Sequence, residues 1–148
     1  MATPPKPVDF PTSARRHMDD AKLLEAGNRL PNAGYLYGYV AECGLKALLM
    51  WHGHPTDAEG SFEKSSGFRV HVDQLLITTT FSSLRLIVNS RSGAKYLAMI
   101  PSIDAFSDWK VHHRYFSDAA LPASFSKWKA AALEVGLMLD KAFLDGLK

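Results

Sequence analysis

The sequence predicts one all-α domain, a bundle of four main helices. Three observations predict it. Apolar residues recur at three- and four-residue steps through several long stretches, the spacing of one helix face. All eight prolines fall between those stretches or at their starts. And 148 residues with 47% hydrophobic composition suffice for one domain with a real core.

Taken in order, residues 1–11 carry Pro4, Pro5, Pro7 and Pro11 and read as an extended lead-in, with the helical domain over 12–148. Thr12 or Ser13 caps a first helix over about 14–26, and Gly27-Asn28 stops it. Leu30-Pro31-Asn32 opens the strongest helix, about 32–51. Leu36, Val40, Cys43, Ala47 and Met50 form its stripe, and Leu45 and Leu48 widen it. A helix apolar almost all round belongs at the centre of a bundle or at a subunit interface. Gly34, Gly38 and Gly44 on it imply the close approach of another helix, with a dimer partner as one candidate.

His52-Gly53-His54-Pro55 ends that helix, and residues 57–67 read as a surface loop. A third helix spans about 71–89, with a break expected in its β-branched middle, Ile77-Thr78-Thr79-Thr80-Phe81. A short helix follows over 94–100, stopped by Pro101. Residues 103–122 have no clean periodicity. The last helix runs over about 124–147, with Trp128, Ala131, Val135, Met138 and Ala142 on its apolar face.

Composition narrows the function. A formal net charge of +2 permits nucleic-acid contact without demanding it. One cysteine, Cys43, excludes an intramolecular disulfide and a Cys-rich zinc site. With no apolar leader at the N-terminus, this reads as a cytoplasmic protein. Glu42 and Lys46 interrupt the longest apolar stretch and argue against a membrane span. Glycine-rich phosphate loops, HExxH and Ser/His/Asp arrangements are lacking, so Rossmann and P-loop enzymes are excluded. His52, His54 and Asp57 are too few for a metal centre, and neither a metal nor a cofactor is expected.

Two features carry chemistry. Glu42 and Lys46 stand at i and i+4 on the central helix, an ion pair expected to face the interior or a ligand cleft, with Arg114 or a backbone donor as Glu42's further partner. Trp109, His112, His113, Arg114 and Tyr115 form the densest cluster. Aromatics stack on bases, arginine grips phosphate, and histidine exchanges protons near neutral pH. Arg15, Arg16 and His17 read as a solvated face at the start of the first helix. Tyr35, Tyr37 and Tyr39 read as core and interface aromatics, and His71 as a residue that helps start the third helix.

The segments SARRHMDDAKLL at 13–24 and NAGYLYGYVAECGLKALL at 32–49 resemble the opening two helices of HEPN domains. DWKVHHRY at 108–115 is similar to the aromatic-and-arginine element before the last helix of that family. The resemblance implies an up-and-down bundle of four to five helices, often a homodimer, in a family of RNases, toxins, inactive partners and nucleotide-binding modules. Active members carry Arg followed after four to six residues by His. No arginine here does so; after Arg114 those positions hold Ala119, Ala120 and Leu121.

The expectation is therefore a binding or regulatory module in an RNA-related, toxin–antitoxin or defence setting rather than a catalyst. Trp109, Arg114, Tyr115, Glu42 and Lys46 are its candidate ligand-binding residues. Two alternatives stand beside it. One is a metal-independent ribonuclease using His112, His113 and Arg114 at a dimer cleft. The other is an adaptor that binds a cognate partner protein without touching nucleotide.

Overall fold

A computed structural model describes residues 3–77 and 93–148. It is all-α among the described residues. The helices are α1 (Phe10–Ala26), α2 (Leu30–Trp51), α3 (Val72–Ile77), α4 (Ala94–Leu97) and α5 (Phe125–Leu144). Three 3₁₀ turns, Lys64–Ser66, Ile103–Asp108 and Val111–Tyr115, fill the connections. One isolated antiparallel bridge joins Thr56 to Phe62.

α1 starts four residues earlier than its sequence spacing suggests. Asp9 is the cap: its carboxylate accepts from the Thr12 backbone N–H at 3.1 Å, and Pro11 occupies the first turn, where a missing N–H costs nothing. The expected caps Thr12 and Ser13 are inside the helix, and the extended lead-in is correspondingly shorter. Arg15 and Arg16 therefore sit in its second turn, past the end where cations are disfavoured. Arg15 pairs with Asp140 on α5 at 2.7 Å.

The stop at Gly27-Asn28 holds as expected. Asn28 takes a left-handed φ of 59°, and the Arg29 N–H returns to the Leu24 carbonyl at 2.7 Å. This tight turn folds α2 back along α1. α2 is the centre of the molecule: it packs on α1, α5, α3 and both later 3₁₀ turns. Every residue from Val40 to Leu49 is buried, Glu42 and Lys46 included. α3 keeps the predicted start, while the expected break and the rest of that helix lie outside the described residues.

The three glycines of α2 serve packing within the chain. A Cβ on Gly38 would fall 2.2 Å from the Trp109 indole, and one on Gly44 would fall 2.4 Å from Val135. One on Gly34 would meet Phe125 at 2.9 Å. The close approach read from the sequence is real, and its partners are α5 and the 3₁₀ segment rather than a second subunit.

Residues 103–122, aperiodic in sequence, form the two 3₁₀ turns Ile103–Asp108 and Val111–Tyr115. Trp128 on α5 anchors the first: its indole N–H donates to the Ala105 carbonyl at 3.1 Å and to Asp108 at 2.8 Å. Ser124 donates to the other oxygen of Asp108. No described helix is long and apolar enough to cross a membrane.

Candidate functional site

Two adjoining surfaces collect most of the candidate residues. The first is a stripe of α2. Asn32, Tyr35, Tyr39, Glu42 and Lys46 recur at steps of three and four, so they share one face. The Tyr35 and Tyr39 hydroxyls share a hydrogen bond at 3.0 Å. Trp109 stacks on Tyr35 with ring centres 5.3 Å apart and meets Tyr39 edge-on at 5.6 Å. His71 lies edge-on to Tyr39 at 5.9 Å, and His17 from α1 lies 5.5 Å from the same ring.

Burial sets the chemistry of this patch. Desolvation, then the Tyr35 hydrogen bond, pushes the Tyr39 phenol well above its usual range. Desolvation, then the neighbouring Arg16, holds His17 below its ordinary value. Burial also pushes the Cys43 thiol up to about 12, so this cysteine is a core hydrophobe rather than a nucleophile.

At the far end of the stripe, Glu42 receives both its donors. Lys46 donates to one carboxylate oxygen at 3.3 Å, and His71 Nδ1 donates to the other at 2.9 Å. A carboxylate only accepts, so the His71 proton is on Nδ1 and Nε2 remains available. The pair expected from the sequence is present and its side chains are nine-tenths buried. Its further partner is His71, 29 positions away, and not Arg114.

The second surface is a polar cleft of about 650 Å³ between the α1–α2 turn and the segment after Trp109. Arg29, Asn32, His113, Arg114 and Phe116 line it. Arg114 is exposed, with its guanidinium 4.9 Å from the Tyr115 ring. The neighbouring Tyr115 raises the guanidinium above its ordinary value, so Arg114 stays charged. Tyr115 is 75% exposed, as a base-stacking residue would be.

The cluster at 109–115 thus divides. Trp109 is wholly buried and its indole N–H finds no acceptor among the described residues, so it is a core anchor rather than a ligand contact. His112, Arg114 and Tyr115 are exposed. His112 and His113 are neighbours, with ring centres 5.2 Å apart. The Lys110 backbone N–H donates to His113 Nδ1 at 3.1 Å, which occupies that lone pair. The His113 ring packs against Phe116 and Trp128. Desolvation, then His112, lowers its basicity.

His52 and Asp57 bond backbone groups, while His54 Nε2 is buried with no hydrogen-bond partner among the described residues. His52 Nδ1 bonds the Leu48 carbonyl at 2.8 Å, and His54 packs edge-on to Phe68 at 4.3 Å. Asp57 accepts from the Glu59 and Ser61 backbone at 2.9 and 3.0 Å.

Sequence reasoning missed Tyr35, Tyr39, His17 and His71 as site residues. The signal for the tyrosines was present: 35, 39, 42 and 46 are one helical face. His17 and His71 reach that face only through tertiary packing. The chain matches no protein-family model, no curated protein and no solved structure.

Proposed function

We propose that this chain is a HEPN-like helical module that binds single-stranded RNA or a nucleotide without cleaving it. The observation that carries this reading is the polar cleft in which Arg29 and Arg114, from two separate elements, stand beside Asn32 at the start of α2. Two guanidiniums suit phosphate oxygens, and the exposed Tyr115 and Phe116 rings offer stacking faces. The helix N-terminus adds unpaired backbone donors and a favourable dipole for an anion.

The RNA-related, toxin–antitoxin or defence setting rests on the resemblance of residues 13–24, 32–49 and 108–115 to HEPN domains, and the cytoplasmic location on the single cysteine. The homodimer rests on the same resemblance, and the exposed Leu133 and Leu137 on α5 support it. The non-catalytic reading rests on the missing Arg-to-His spacing and on His113, whose Nδ1 is already occupied.

The test is incubation of the protein with labelled single-stranded RNA in EDTA, beside Arg114→Ala, on native and denaturing gels. The expected result is intact RNA with a shifted band, and a Kd weakened about tenfold in the variant. Cleavage that disappears in Arg114→Ala would establish the ribonuclease alternative. Intact, unshifted RNA at low salt would leave the adaptor reading, with a cognate protein as the partner.

A further inference from the structure

We propose that a second, smaller pocket, between α2 and the segment leading into α3, binds a phosphate group through Lys46, Arg69 and His71. The pocket has a volume of about 180 Å³ and opens to solvent, enough for a tetrahedral oxyanion with its ester arm extending outward. Its polar wall is Glu42, Lys46, Ser61, Arg69 and His71, and its apolar wall includes Phe10 and Phe62.

The incomplete solvation of Lys46 carries the argument. An ammonium has three N–H donors, and this one is nine-tenths buried. Its single hydrogen bond among the described residues goes to Glu42 at 3.3 Å, longer than the 2.7–2.9 Å typical of charge-assisted bonds. The Phe10 ring, with its centre 5.9 Å away, offers no oxygen acceptor. A buried charge with so few acceptors is costly, and an anion in the pocket would supply the missing ones.

The neighbouring groups fit that role. Arg69 lines the same pocket, is exposed, and makes no ion pair among the described residues. Both Glu42 oxygens are already taken, one by Lys46 and one by His71. Its charge therefore offsets that of Lys46 and leaves Arg69 uncompensated at the mouth. With its Nδ1 proton on Glu42, His71 lines the pocket with an Nε2 lone pair that can accept from a P–OH. Two separated cationic donors and one acceptor match a tetrahedral phosphate that still carries a P–OH better than a planar carboxylate. The inference does not rest on the Arg29–Arg114 cleft.

The test is titration of the full chain by calorimetry with inorganic phosphate and, separately, with a nucleoside monophosphate. The variants are Arg69→Gln, Lys46→Met and Arg114→Ala. Saturable binding is expected, weakened about tenfold or more by Arg69→Gln, and the nucleoside monophosphate binding that survives Arg114→Ala is the small pocket's own. Arg69 is exposed, so its variant reads binding without threatening the fold, whatever becomes of Lys46→Met. Equal affinity for both probes assigns the pocket to phosphate itself, and tighter binding of the nucleoside monophosphate assigns it to a nucleotide's phosphate. No saturable binding of either probe, or a Kd unmoved by Arg69→Gln, overturns the proposal. So does a loss confined to Arg114→Ala, which would place the anion in the other cleft.

Discussion

Trp109 lies flat against Gly38, and that contact fixes how far the 3₁₀ segment stands from α2. Any Cβ at position 38 would overlap the indole at 2.2 Å. The indole is wholly buried against Tyr35, Tyr39 and His71, so it has no free space to retreat into. Gly38→Ala, which would gain helix propensity at an exposed site, is expected to cost about 1–3 kcal/mol here, read from denaturant midpoints. A neutral or stabilising result would refute this packing. Histidines give the second residue-scale prediction. His17, His54 and His113 are all held below the ordinary value of 6.5, chiefly by burial. A lowered folded value means that the unfolded chain binds more protons just below 6.5. Their contribution to stability is therefore present above that pH and lost as pH falls through the depressed values. The thermal midpoint should drop between about pH 7.5 and about pH 5.5, and His17→Gln should shrink the drop. An unchanged difference in the variant would remove His17 from the account.

α2 shows what its sequence encodes and what it does not. Its span, its central place and its buried Glu42–Lys46 pair were all legible, because they follow from helical spacing and from a hydrophobic surround. The partner of Glu42 was not legible, since His71 reaches it through packing across 29 positions. The same limit applies to the 103–122 segment. 3₁₀ turns leave no periodic trace, and an aromatic at position 109 reads equally well as core anchor or stacking platform. Arg29 is the element-scale feature with a functional edge. It stands at the start of α2, an end that favours anions, and no side chain caps that end. If the cleft holds RNA, Arg29→Ala should weaken binding and flatten the dependence of log K on log salt by about 0.7. A slope identical to wild type would remove Arg29 from the contact.

At the scale of the whole molecule, α2 is enclosed by α1 and α5, whose outer faces meet in a groove of about 480 Å³. Ala14, Met18 and Val40 are among its lining residues, and Leu133 and Leu137 remain 38% and 63% exposed beside it. If the chain is a homodimer through this face, Leu137→Glu should convert it to a monomer in sedimentation equilibrium with its helical content unchanged. A wild-type monomer at micromolar concentration would discard the dimer. The all-α class was readable from apolar spacing and proline placement alone. Which faces remained uncovered was not, because the same stripe of leucines serves a core and an interface equally.

The buried indole of Trp109 also gives the protein a built-in optical reporter. Its N–H has no acceptor among the described residues and its ring sits among aromatics, surroundings in which indole fluorescence shifts to the blue. Trp51, half-buried with its N–H on the Lys148 carbonyl at 2.7 Å, emits from a more polar setting. Trp128 is buried too, with its N–H on Ala105 and Asp108. But His71 is within 6.1 Å of the Trp109 ring and also lines the small pocket, so an anion seated there would act on the Trp109 share of the blue emission. Occupancy of that pocket is thus open to observation in the unlabelled protein, by light alone.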